Sequence, residues 1–225
     1  MNGFLLVNKP PGISSFLVVK RLRYLSKVKK IGYAGTLDPF ASGLLIVALG
    51  REFTRQIDNF VLLPKTYEVR MVLGMQTNTL DSYGTLTEQT PVNTSEALIS
   101  EAVESFKGTQ LQTPPIFSAK KQNGQRLYAL ARKGIEVHIP SALITVYDIQ
   151  IQRCLFQEHP LIDLKVHCSK GTYIRSLVRD IGHTLHLPAY AKDLVRTAIG
   201  DYTLDQAVDY DHLTADTIQG ALRDE

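Results

Sequence analysis

Cysteine is nearly absent from this chain. Cys154 and Cys168 are the only two in 225 residues, so no disulfide framework staples the fold, and no Cys-x-x-Cys pair seats a metal or runs thiol exchange. The neighbours His167 and Cys168, and the pair His183 and His186, read as packing and surface residues, and no metal is expected. No apolar run is long enough to cross a bilayer as a helix, and no signal peptide opens the sequence. The expected home is therefore a reducing cytoplasm. Internal repeats and low-complexity tracts are also missing, which excludes solenoid and disordered classes. What remains, at 44% hydrophobic and 21% charged residues, can bury a sizeable core, and one main domain is expected.

Acids are missing from one particular stretch. Lys20, Arg21, Arg23, Lys27, Lys29 and Lys30 follow one another with no acid between them, and Lys120, Lys121, Arg126, Arg132 and Lys133 form a second basic cluster. The acids collect at the other end. Residues 201–225 hold seven against Arg223 alone, a net of −6, so residues 1–200 carry +9 of a chain whose total is +3. A body this basic suits a polyanionic partner, with phosphate contacts from both clusters.

Ser14 or Ser15 can cap a helix whose Val18, Leu22 and Leu25 make a buried stripe. Residues 44–49 form a short apolar run suited to a buried strand. Tyr67, Val69, Met71 and Leu73 alternate with Glu68 and Arg70 as in a half-buried strand. Asn93 with Glu96 reads as a capping box for a helix that turns Ile99, Ala102, Val103 and Phe106 inward and stops at Gly108. Residues 110–134 break regularity with Pro114-Pro115 and Asn123-Gly124, a long basic loop of the kind that carries function. Residues 142–156 and 161–168 predict a hairpin around Glu158-His159-Pro160, and Ile174, Leu177, Ile181 and Leu185 mark a helix. Strands and helices mixed without strict βαβ alternation argue for an α+β fold with a mixed, mainly antiparallel sheet flanked by helices.

The segment with the most chemistry in it is Gly-Tyr-Ala-Gly-Thr-Leu-Asp-Pro-Phe-Ala-Ser-Gly at residues 32–43. Glycines on both sides and Pro39 after it hold Asp38 in a turn of fixed shape, and rigid loop carboxylates are often catalytic. An Asx-type turn, with Asp38 bonding its own backbone, is the plainer reading of the same residues.

This string resembles the nucleophile motif of the TruB type of pseudouridine synthases. An opening Leu5-Leu6-Val7-Asn8-Lys9-Pro10-Pro11-Gly12-Ile13-Ser14-Ser15 is similar to the family's first motif, Lys65-Thr66-Tyr67-Glu68-Val69 to its second, and Lys170-Gly171-Thr172-Tyr173-Ile174-Arg175 to its third. Order and spacing agree, and the resemblance runs from residue 4 to about 212. It implies the pseudouridine synthase fold in a catalytic domain at 1–212, with 110–134 as an inserted RNA-gripping loop. Residues 213–225 are then an acidic tail, with no C-terminal RNA-binding domain of the PUA type.

The implied activity is isomerisation of uridine 55 in the T loop of tRNA, without cofactor. In that reading Asp38 is the nucleophile or base, Arg175 the cation that keeps it ionised, and Tyr67 the ring that stacks on uracil and handles the C5 proton. Leu194 is the apolar pocket wall, and Tyr33, Lys9, Lys20, Lys120 and Arg126 contact RNA. The expected partner is the tRNA T arm, with the protein acting as a monomer and without guide RNA. Two departures stand out: Tyr33 replaces a histidine that contacts the RNA loop, and Val195 stands where arginine is frequent. The alternative is a non-catalytic RNA-binding or RNA-folding protein of the same fold. Retention of Asp38, Tyr67 and Arg175 together argues against it. A carboxylate glycosidase would need a second carboxylate near Asp38, and no motif nominates one.

Overall fold

The computed structural model describes residues 1–117, 121–122, 125–126 and 139–224, with 121–122 and 125–126 given by backbone alone. The chain folds into two compact units, Met1–Glu68 with Leu194–Glu225, and Val69–Asp193, where one main domain was expected. Two strands carry the chain across the division, one out and one back.

The first unit begins with β1 (Gly3–Lys9), α1 (Ser15–Ser26), β2 (Ile31–Ala34) and β3 (Ser42–Leu49), followed by the short helices α2 (Arg51–Thr54) and α3 (Ile57–Leu62). Strand β4 (Lys65–Leu73) leads out of it. The second unit holds β5 (Met75–Thr77), β6 (Leu86–Gln89), α4 (Glu96–Glu104), β7 (Gly108–Gln112), β8 (Lys121–Gln122), β9 (Gln125–Arg126), β10 (Ala142–Leu155), β11 (Leu161–Cys168) and α5 (Ile174–Thr184). Strand β12 (Ala189–Ile199) leads back, and β13 (Tyr202–Thr203), β14 (Val208–Asp209) and α6 (Ala215–Ala221) complete the first unit.

In the first unit β3 is the central strand. It pairs antiparallel with β1 and with β2, and parallel with β12, while β14 lies parallel on the outer side of β1. Both sheet faces are covered, so β1 and β3 are apolar at every position in their middles instead of alternating. Leu5, Val7, Leu45, Val47 and Leu49 pack with Val18, Val19 and Leu22 of α1 and with Leu213 and Ile218 near the C-terminus. Phe4, Leu6, Leu44, Ile46 and Ala48 pack on the other face with Phe60 and Ile199. The Phe4 ring meets Phe53 and Phe60 edge-on at 5.1 and 4.6 Å, the favoured geometry for aromatic pairs.

Ser14 is the cap of α1, its Oγ accepting from Leu17 N at 3.3 Å, and Val18 and Leu22 are fully buried as expected, with Leu25 half-buried. The last residues correct the expected boundary at 212. Instead of a separate acidic tail they form α6, capped by reciprocal bonds between Thr214 and Thr217, and drive Leu213 and Ile218 into the core. Asp216 stays exposed because the helix buries only one side, and Asp224 beyond it is exposed as well.

The second unit orders its sheet strands β4, β11, β10, β7, with β11–β10 and β10–β7 antiparallel. The β10–β11 hairpin turns at residues 156–160 as its sequence suggests. Helix α4 starts one turn element later than expected: Ser95, not Asn93, is its cap, with Oγ accepting from Leu98 N at 3.3 Å. Its Ile99, Ala102 and Val103 are buried as the periodicity requires, and Gly108, at φ 109°, opens β7 after the helix has ended. Alternation along β4 fails at Val72, which is buried between two buried neighbours.

Candidate active site

Asp38 lies in the first unit, half-buried, in the connection between β2 and β3. That connection and the strand after it are held by six hydrogen bonds. Ser15 Oγ, at the start of α1, donates to Leu37 O at 3.0 Å and accepts from Leu37 N at 2.9 Å, pinning the residue before Asp38. Gly12 N donates to Pro39 O at 2.8 Å on the other side, and Ala41 N closes the turn on Asp38 O at 3.1 Å. The guanidinium of Arg196 donates to Gly35 O at 3.0 Å and to Leu44 O at 2.8 Å. Leu37, Phe40 and Ala41 are buried beneath the turn, so its shape is packed as well as bonded. Gly43 is needed for more than its φ of 106°: a Cβ there would sit 2.3 Å from Arg196 O, so the parallel register of β3 and β12 requires glycine.

Lys9, expected among the RNA contacts, has no exposed surface. Its ammonium donates to Pro10 O and Ile13 O, both at 2.8 Å, and so fixes the chain that leads from β1 to Ser15. Burial pushes its pKa down to about 8, while the charge of Asp38 raises it and that of Arg196 lowers it. The charges of Asp38 and of Arg196 thus both reach the Lys9 ammonium.

Tyr67 and Leu194 belong to the same unit. Tyr67 is half-buried on β4, and Leu194 is buried on β12. Lys65, which opens the Lys-Thr-Tyr motif, is buried and donates to the carbonyls of Phe60, Val61 and Leu63, satisfying the open C-terminal end of α3. Thr197 Oγ1 donates to Thr66 O at 3.3 Å. Tyr33 is half-buried on β2.

Arg175 lies in the second unit, at the second residue of α5 and only 3% exposed. Its guanidinium donates to Thr79 O at 2.7 Å and Phe117 O at 2.9 Å, and stands 3.4 Å from a carboxylate oxygen of Asp81. The other oxygen of Asp81 accepts from Thr79 Oγ1 at 2.7 Å and Tyr83 N at 3.0 Å, and Thr77 Oγ1 donates to Asp81 O. Leu80, between them, is held at φ 61°, a strained conformation for a side-chain-bearing residue. Further along, Gln112 bonds Tyr173 through both its amide atoms, and Ser176 Oγ donates to Thr113 O, so the start of α5 is tied to the end of β7.

Sequence reasoning placed Ser15 and Lys65 in motifs without giving them a role at the site, and passed over Asp81 and Arg196. Asn78, Asp81 and Gly84 together are a turn signature that could have flagged Asp81. Nothing in the sequence distinguishes Arg196 from a solvated arginine.

On the surface, Lys20, Arg23, Lys27, Lys29 and Lys30 are exposed, whereas Arg21 donates to Asp211 O and Leu213 O and covers the Tyr210 ring. Arg23 lies over Phe16 and Lys27 over Tyr24, both rings exposed, Tyr24 by 73%. Cations and aromatic faces so interleaved are a chemistry that suits RNA. Lys120 and the side chains of Lys121 and Arg126 lie outside the described residues.

Residues 23–174 match the family described as TruB family pseudouridylate synthase (N terminal domain). The chain is 40% identical over 228 residues to the tRNA pseudouridine synthase B of Bacillus subtilis (strain 168), an alignment covering all of this chain and 74% of that protein. It is 44% identical over 218 residues to the tRNA pseudouridine synthase B of Desulfotalea psychrophila, covering 95% of this chain and 89% of that one. Among solved structures, a chain of an H/ACA ribonucleoprotein bound to a substrate RNA containing 2′-deoxyuridine is similar at a TM-score of 0.68 and 25% identity, over 94% of this chain. The match spans about half of that longer chain, 52% of its length.

Proposed function

The chain belongs to the TruB family of pseudouridylate synthases, and we infer from this membership that it isomerises uridine to pseudouridine in tRNA. We place the target at uridine 55 of the T loop, with Asp38 as the reacting carboxylate. The observation that carries the reading is the fixed Asp38 turn, gripped at Gly35, Leu37, Pro39 and Leu44 before any substrate arrives.

The reaction breaks the bond between uracil N1 and ribose C1′, turns the detached base, joins C5 to C1′, removes the C5 proton and leaves a proton on N1, so that no atom is gained or lost overall. Atoms and oxidation state balance, and the chemistry calls for a carboxylate and a closed pocket. Asp38 attacks at C1′ or at C6, and its preset position replaces a search by the side chain with a short approach. By the family resemblance Arg175 takes the part of the cation that keeps the carboxylate ionised where a base would otherwise dehydrate it. Tyr67 stacks on the uracil and its hydroxyl takes part in removing the C5 proton, and Leu194 bounds the base on its apolar side.

RNA is held by phosphate contacts from the exposed lysines and arginine of residues 20–30, with Phe16 and Tyr24 offering rings for stacking. Tyr33 contributes a ring where the family pattern has histidine. Lys9 supports the turn from beneath. The enzyme acts as a monomer on the T arm, without guide RNA, in the cytoplasm. No helix among the described residues is long and apolar enough to cross a membrane.

The test is direct. An unmodified tRNA transcript incubated with the protein gains pseudouridine at position 55, mapped by chemical probing. Modification at another uridine would move the target, and a transcript left unmodified with RNA still bound would favour a non-catalytic RNA-binding role.

A further inference from the structure

Arg196 is among the largest fully buried side chains of the described residues, and its partners are two backbone carbonyls, Gly35 O and Leu44 O. These carbonyls stand at the two ends of the segment that contains Asp38. One planar group thus closes the loop like a clasp, and it can do so because β12 runs parallel to β3 with Arg196 opposite Gly43, where the missing side chain lets the backbones meet.

Neutral carbonyls do not compensate a buried guanidinium, and a cation withdrawn from water calls for a counter-charge. Asp38 sits inside the segment that Arg196 clasps. Lys9 on β1 is drawn by the charge of Asp38 and repelled by that of Arg196. Burial brings Lys9 down to about 8.

We propose that Arg196 is a positioning residue for the nucleophile: its fork clasps the two ends of the Asp38 loop, and its buried charge holds the Asp38 carboxylate ionised from the side of the fold. This rests on the reading of Asp38 as the reacting carboxylate. The groups that set the charge of Asp38 are then Arg196 from β12, Lys9 from β1 and, in the proposed mechanism, Arg175 from α5.

Two substitutions separate the roles, read as single-turnover rate on a tRNA transcript between pH 5 and 8.5. Arg196→Gln keeps an amide donor and loses the charge. The pH of half-maximal rate on the acid side then moves up by about one unit, as expected for a carboxylate that loses a nearby cation. Arg196→Lys keeps the charge and loses the fork: the acid limb stays where it is in the parent, and the plateau falls about tenfold, because one ammonium does not span both carbonyls. An acid limb in Arg196→Gln at the parent pH overturns the electrostatic half of the proposal, and a parental plateau in Arg196→Lys overturns the clasp. If Arg196→Gln shows no cooperative melting, Arg196→Lys alone still decides the clasp. Asp38→Asn, run beside them, keeps the premise separate: substantial turnover there removes Asp38 from the reaction and the proposal with it, whereas an inactive Asp38→Asn beside an unmoved acid limb removes only the role of Arg196.

Discussion

Asp38 and Arg175 stand in a loop and at a helix start, and the hydrogen bonds that fix the main chain of one and the head group of the other differ. Asp38 is fixed through the backbone of its turn, by Ser15, Gly12 and Arg196, while Arg175 is fixed through its own head group, by Thr79 O, Phe117 O and Asp81. The difference suits the tasks proposed for them. A group that must bond to substrate and release it gains from an anchored main chain. A group that supplies only charge can be locked at the tip.

The largest effect expected from breaking this arrangement is at the carboxylate itself. Asp38→Asn preserves size and leaves the backbone clasp in place, so melting temperature and RNA binding stay near the parent. The rate of pseudouridine formation falls by at least about 10³-fold, because the amide is no nucleophile. A variant with more than a tenth of the parent rate would remove Asp38 from the chemistry.

Arg175→Lys tests the other side of the contrast. An ammonium does not bridge Thr79 O, Phe117 O and Asp81 as a planar fork does, so single-turnover rate falls about 10²-fold with RNA affinity unchanged. A near-normal rate would mean that charge alone, not its locked position, is what this residue provides.

Ser15→Ala strikes at the backbone anchor. It leaves both Leu37 N–H and Leu37 C=O unpaired in a buried place, which costs about 1–3 kcal/mol of stability by chemical denaturation and loosens the turn. If stability drops and rate does not, the turn holds its shape from packing of Leu37, Phe40 and Ala41 without the serine.

A milder effect is expected on the surface. Replacing Lys20 and Lys27 with Gln weakens tRNA binding and lowers the slope of log affinity against log salt by about 0.7–0.9 per lost phosphate contact, with rate at saturating RNA unchanged. A slope untouched by both changes would place the RNA on another face.

The smallest effect is a pH slope. Lys9 titrates near 8 in the folded chain and near 10.5 when unfolded, so between these values unfolding takes up a proton and becomes harder as pH rises. Stability of the parent should gain up to about 1.4 kcal/mol per pH unit in that window relative to Lys9→Met, measured by denaturant unfolding at pH 7.5 and 9.5. Parallel profiles would show that Lys9 keeps its proton and is better solvated than its position implies.

The turn chemistry around Asp38, the apolar runs of β1 and β3 and the amphipathic period of α5 are local properties, carried by glycine, proline and side-chain spacing within a few residues. They were therefore legible one after another along the chain, as were the α+β class and the basic character of α1. The same locality explains the misses. Asn93 and Ser95 are both residue types that cap helices, and it is Ser95 that caps this one, with Ile99 and Val103 buried behind it. The acidic C-terminal residues look like a tail because charge dominates their composition, yet Leu213 and Ile218 suffice to bring them onto the core.

By itself, then, the sequence determined which segment carries the carboxylate proposed to react, which family's motifs surround it and where positive charge gathers. Tertiary structure alone decided that Lys9 faces inward to carbonyls instead of outward to RNA, that Asp81 stands beside Arg175, and that Arg196 reaches across 161 residues to grip Gly35. The physical reason is common to all three. A buried charge gains its meaning from partners brought close by strand pairing, and strand pairing joins positions whose separation along the chain leaves no trace in local pattern.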